Sequence, residues 1–294
     1  MDRSTSTLSP EPGLASGWER VNWMAVGWIG ALLLLCFAPV LRGMVTEWVN
    51  DEDMSHGFFV PAVALWIVWT LKDTILELPM RTNGWGLVVI VLGAIQLIVG
   101  TLGAELFISR VAFIVSLTGI LLYAGGTALV RTVAFPLFLL LFMIRIPAIL
   151  YNQITFPLQL LASRIAEESL WMIGIPVLRE GNILELSSQK LSVVEACSGI
   201  RSLLSLSFLS LVYAHSFDSK VWMRGALLVA TVPIAVTANA FRVTMTGVLS
   251  EYNPGLAKGF AHSAEGYVIF LISLLILVAA HKAINLVYGV LHKA

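Results

Sequence analysis

The chain has 294 residues, of which 58% are hydrophobic and 12% charged, with zero net charge and a mean hydropathy of +0.87. Soluble domains carry roughly 25% charged residues, so this composition belongs to a polytopic membrane protein and excludes an ordinary soluble fold. The neutral balance offers no basic surface to a nucleic acid, and two distant cysteines, Cys36 and Cys197, imply neither a disulfide framework nor a zinc spacing.

Residues 1–22 are polar and rich in Ser, Pro and Gly, which predicts a disordered tail ahead of a single transmembrane domain over 23–290. The first apolar segment lacks a small-residue cleavage site and reads as a retained helix. A helix rising 1.5 Å per residue needs about 20 apolar residues to cross about 30 Å of hydrocarbon. Eight candidate spans follow: 24–42, 57–72, 85–103, 106–124, 131–149, 198–215, 222–249 and 264–288. The second is short, and Pro136 and Pro147 interrupt the fifth. The expected fold is therefore an all-α bundle of about eight transmembrane helices.

Basic residues set the orientation, because Lys and Arg concentrate on the cytoplasmic side. Arg3 and Arg20, Lys72 and Arg81, Arg131, Lys220 and Arg224, and Lys282 and Lys293 fall on one side of this path. The alternate loops carry "NDEDMSHG" and Glu105. Both termini are thus expected in the cytoplasm. Residues 150–197, the one long stretch between spans, are expected outside. Within them, "YNQITFPLQLLASRIAEESLWMIGI" places Arg164, Glu167 and Glu168 apart from its apolar positions, which suits a helix lying at the interface. "VLREGNILEL" and "KLSVVEA" alternate as the strands of a small β-hairpin, and Cys197 follows directly.

Three polar residues then arrive at one depth from three spans. Cys197 opens span six, Arg242 lies 20 residues beyond Trp222 in span seven, and His262 begins span eight. Arg242 alone could snorkel to the headgroups, but Asn239 shares its helical face, and two polar groups on one face point to an interior or wet site. His56 is the other outer-face histidine, whereas His215, His281 and His292 fall on the cytoplasmic side. A thiol at a helix start is acidified by the helix N-terminus and nearby cations. A histidine can serve it as base, or a leaving amine as acid, and an arginine can hold an oxyanion. No HExxH, Walker or dinucleotide motif competes, so neither metal nor cofactor is expected.

"EACSGIRSL", "NAFRV", "HSAEGYVIF", "SHGFFVP" and "GIPVLREGNILEL" resemble the exosortase family of bacterial membrane transpeptidases, relatives of the archaeosortases. The resemblance extends over about residues 50 to 275. It implies that Cys197, Arg242 and His262 are catalytic. It also implies multi-pass placement in the inner membrane of a Gram-negative bacterium, with the site facing the periplasm. The implied partners are membrane-anchored proteins bearing a C-terminal sorting signal (a Pro-Glu-Pro motif, a transmembrane helix and a basic cluster) and an acceptor nucleophile of unspecified identity. Reading an acidic residue between prolines calls for a fixed cation; Arg201, one turn after Cys197, is the first candidate and Arg179 the second, with Asn239 and His56 as further substrate contacts. A different class, a transporter or assembly factor for envelope polysaccharide with Arg242 and His56 along a polar path, is opposed by the absence of an inverted repeat in the hydropathy and by the cysteine at a span boundary.

Overall fold

The computed structural model describes residues 23–193, 199–218, 220–252 and 260–291, with side chains for all of these except 199–201, 260–265 and 291. The chain divides into two compact units, Met1–Arg145 and Ile146–Ala294.

In the first unit, α1 (Trp23–Cys36) and α2 (Ala38–Asn50) meet at a 63° bend, a 3-10 turn covers Glu52–Phe58, and α3 (Phe59–Thr70) and α4 (Lys72–Glu77) follow. Next come α5 (Trp85–Leu102), α6 (Leu106–Thr132), α7 (Ala134–Leu139) and a 3-10 turn over Leu140–Met143. Helices α5 and α6 pack closely because Gly86, Gly93 and Gly100, seven apart and therefore on one face, meet Tyr123, Ser116 and Ser109. A Cβ at any of the three would come within 2.2–2.5 Å of a neighbouring atom. Hydrocarbon supplies no hydrophobic drive between helices, so such small-residue contact is what holds them together.

The second unit holds α8 (Ala148–Met172), the antiparallel sheet β1 (Val177–Glu180), β2 (Ile183–Leu186) and β3 (Lys190–Ser192), then α9 (Gly199–Phe217), α10 (Val221–Tyr252) and α11 (Phe260–Leu291). The sheet has one strand more than the expected hairpin. "VLREGNILEL" folds on itself, pairing Glu180 with Ile183, through the two-residue loop Gly181–Asn182. Gly181 takes φ 65° there, as the first position of a type II′ turn requires. One face of the sheet is apolar: Val177, Leu184, Leu186, Leu191 and Val193 pack with Ala166 and Leu170 of α8 and Val243 of α10. At the other end of this unit, Asp218 accepts hydrogen bonds from Asn285 (2.9 Å) and the Lys220 backbone (2.8 Å) and pairs with His281 (3.0 Å). The His281 and Asn285 side chains hold the Asp218 carboxyl well below the usual range. This polar lock ties the α9–α10 loop to α11.

Four helices, α5, α6, α10 and the Gly266–Val290 part of α11, are long and apolar enough to cross a membrane among the described residues, or up to six if each bent pair counts as one span. The chain is thus a multi-pass helical membrane protein, but its path differs from eight unbroken spans. The first expected span breaks at Phe37, and α3, with 12 residues, covers only about 18 Å. The fifth dissolves into α7, a 3-10 turn and a link ending at Pro147, which precedes α8 rather than interrupting a helix. The helix expected along the interface is α8, and it packs beside α10: Thr155, Leu158 and Gln159 face Ala235, Val236 and Asn239, and Leu170 packs on Gly247. The contacts follow the same order in both, so the two helices run in the same sense.

Candidate active site

Four elements of the second unit converge where the sheet meets α10. Val193, just after β3, is fully buried and clusters with Val243, the neighbour of Arg242. Its backbone N–H donates to the Asn182 carbonyl (2.9 Å). The chain is therefore anchored four residues before Cys197, and it starts α9 at Gly199, two residues after it. Cys197 itself, together with Glu195, lies outside the described residues. Arg201 falls in the first turn of α9 and His262 in the first turn of α11, and the side chains of both lie outside the described set.

Arg242 is placed by contact. Its guanidinium lies against the α11 backbone at Gly266: a Cβ there would stand 3.2 Å from Cζ and Nη2 and 3.3 Å from Nη1. Gly266 is one helical turn after His262. The arginine is thus seated on the helix that carries the histidine, at a residue whose missing side chain makes the approach possible. A glycine inside "HSAEGYVIF" has no chemistry of its own, so nothing in the sequence singles it out.

Asn239 is half-buried one turn before Arg242 and lines a small open pocket with Thr155, Leu158, Gln159, Leu203, Ala235 and Val236. Arg179 on β1 is committed elsewhere. Its Nε donates to Glu167 (2.7 Å) and its Nη1 to the Gly181 carbonyl (3.1 Å), which fastens the sheet to α8. His56 belongs to the first unit. There its Nε2 lies 3.1 Å from the Phe142 carbonyl and so carries the ring proton. Burial pushes this imidazole below its ordinary value, against the opposing pull of the Phe142 and Asp53 backbone and the Asp53 charge. Nearby, Trp48 donates to the Met143 carbonyl (3.1 Å), and Glu47 pairs with buried Arg110 (2.6 Å) and with Arg145. Among the described residues no group of three or more His, Cys, Asp or Glu is arranged to hold a metal ion.

The transmembrane exosortase family (Exosortase_EpsH) matches residues 48–279, most of the chain. The chain belongs to that family. The match covers the sheet, the Cys197 segment, Arg242, Gly266 and His262 together. No curated protein and no solved structure matches the chain. Family membership makes this exosortase a membrane-embedded, enzyme-like protein of the protein-sorting class.

Proposed function

We propose that this exosortase is a thiol peptidase or transpeptidase that cuts the C-terminal sorting signals of exported, membrane-anchored proteins at the periplasmic face of the inner membrane. The observation that carries the reading is the seating of Arg242 on Gly266, one turn beyond His262. It puts a fixed cation beside the start of α11, at the end of the unit where the Cys197 segment leaves the sheet.

In this mechanism the Cys197 thiolate attacks the scissile carbonyl, and the carbon–sulfur bond forms as the carbonyl electrons move to oxygen. The Arg242 guanidinium, planar and permanently charged, holds that oxyanion. Collapse breaks the carbon–nitrogen bond, His262 protonates the departing amine, and a thioester on Cys197 remains. An acceptor nucleophile or water then takes the acyl group and returns the thiol. Because Arg179 already pairs with Glu167, Arg201 is the cation proposed to read an acidic residue of the signal. Both termini face the cytoplasm in this arrangement.

The test is to trap the thioester. A membrane-anchored reporter with a C-terminal sorting signal, co-expressed with the protein, should yield a hydroxylamine-sensitive adduct on Cys197. Cys197→Ala should abolish adduct and processing alike, whereas Cys36→Ala, altering an exposed position on α1, should retain both. Loss from both substitutions would reduce Cys197 to a packing residue.

A further inference from the structure

The pocket below Arg242 sits where two helices each carry an interior proline, Pro157 in α8 and Pro233 in α10. Leu158 and Gln159 follow the first, and Ala235 and Val236 lie just after the second. Each proline removes an N–H from its own helix, and both rings are exposed, turned away from the lining rather than part of it. The lining is apolar apart from Thr155, Gln159 and Asn239, and it contains no charged side chain. Gln159 has a defined orientation. Its Oε1 accepts from the Asn182 side chain (3.4 Å), which leaves its NH₂ as the end with free donors. Asn182 is also the residue whose carbonyl holds Val193, so the turn that orients Gln159 also anchors the Cys197 segment.

A pocket of neutral carboxamides within apolar walls suits a ligand with one donor and one acceptor and no charge. A peptide unit is such a ligand. The need for it follows from the proposed reaction, on which this inference rests. A helix that enters from the bilayer must be unwound to be cut, and each unwound residue exposes an N–H and a C=O that hydrocarbon cannot satisfy. Asn239 precedes Arg242 by one turn, about 4.5 Å along α10, on the side away from the sheet. At about 3.3 Å per extended residue, that distance places the pocket one or two residues from the scissile carbonyl.

We propose that Gln159 and Asn239 form a backbone-holding subsite for the unwound substrate next to the scissile bond. The Gln159 NH₂ donates to a substrate carbonyl, the Asn239 side-chain oxygen accepts from a substrate N–H, and Asn182 is the positioning residue. The subsite reads main chain rather than side chain and is therefore tolerant of sequence.

The test uses the full chain in lipid nanodiscs. The probe is a synthetic peptide with a Pro-Glu-Pro motif, an apolar helix of about 20 residues and a terminal Lys/Arg cluster. Product masses identify the cleaved bond, and a peptide series then replaces one amide at a time near it with an ester, which removes the N–H. With unaltered protein, one ester within two residues of the cleaved bond should lower kcat/KM about three- to tenfold, the worth of one neutral hydrogen bond. The same ester should cost Asn239→Leu nothing further, while iodoacetamide alkylates Cys197 at the unaltered rate in that variant. Gln159→Leu and Asn182→Ala should each lower kcat/KM by a similar factor. An ester penalty that persists unchanged in Asn239→Leu, or no penalty at any position with unaltered protein, overturns the subsite and leaves the thiol mechanism standing. Cleavage that survives Cys197→Ala overturns the mechanism itself, and the subsite with it.

Discussion

Replacing Gly266 by alanine sets two effects of opposite sign against each other. The added methyl would stand 3.2 Å from Cζ and Nη2 of Arg242, closer than the roughly 3.4 Å at which ordinary contact begins, so the guanidinium must retreat by a few tenths of an ångström. Misplacing a catalytic group by 1 Å can cost about 10² in rate, so this smaller shift should lower turnover about three- to tenfold. Alanine in a helix interior is meanwhile favoured over glycine by about 1 kcal/mol, so thermal stability and the amount inserted should hold or rise. Gly266→Leu should abolish turnover by displacing the guanidinium outright. Gly289→Ala, in the same helix with nothing within 4 Å of the new methyl, is the control: stability should again hold or rise while turnover stays unaltered. The assay is reporter processing normalised to inserted protein, with a melting curve of the purified chain. Unaltered turnover in both Gly266 variants would refute the Arg242–α11 contact as a working part of the site.

Three further outcomes are expected. Arg242→Lys should lower turnover at least about tenfold at equal insertion, because an ammonium lacks the planar fork; near-normal processing would reduce Arg242 to a snorkelling residue. Lys190, whose side chain is 72% exposed beside the sheet, should react with an impermeant amine reagent from the periplasm, and Lys220 should be reached only from the cytoplasm; reactivity of Lys220 from outside would invert the topology. The His56 ring is held below its ordinary value by burial, so the unfolded chain binds the extra proton first as pH falls below about 6.5. Melting temperature should therefore decline on acidification through that window and level off below the folded value. His56→Gln should flatten the decline, and an identical pH profile in that variant would assign the effect to other groups.

What was legible in the sequence follows the range over which each interaction acts. Asn239 and Arg242 share a face by helical spacing alone, and both lie on the single helix α10. The Gly181–Asn182 turn is also a local signal, yet alternation alone reads "VLREGNILEL" as one strand where the structure makes two. The charges Arg164, Glu167 and Glu168 show in the sequence as a polar face of α8, but their partners do not. In the structure Arg164 pairs with Glu168 along the same helix, and Glu167 pairs with Arg179 of β1. Its buried stripe of Thr155, Ala162, Ser163, Ala166 and Leu170 is mostly small residues, which hydropathy scarcely registers. Glu47 and Arg110 form an ion pair across 63 positions, and no local pattern could have joined them.

The same distinction explains how the site is supported. Chemistry-bearing residue types are visible one at a time, but the groups that position them are ordinary. Gly266 works by lacking a side chain, and Asn182 works through its carbonyl and its side-chain amide. Val193 works by being fully buried next to Val243. Each joins two neighbouring elements: α11 to α10, the β1–β2 turn to α8 and to the end of β3, and that end to α10. The sheet, α8, α10 and α11 at Gly266 are therefore mechanically connected. Loosening the sheet, for instance by truncating the fully buried Leu184 at a cost of about 2–5 kcal/mol, is then expected to reach the thiol through Val193 rather than through any contact with substrate.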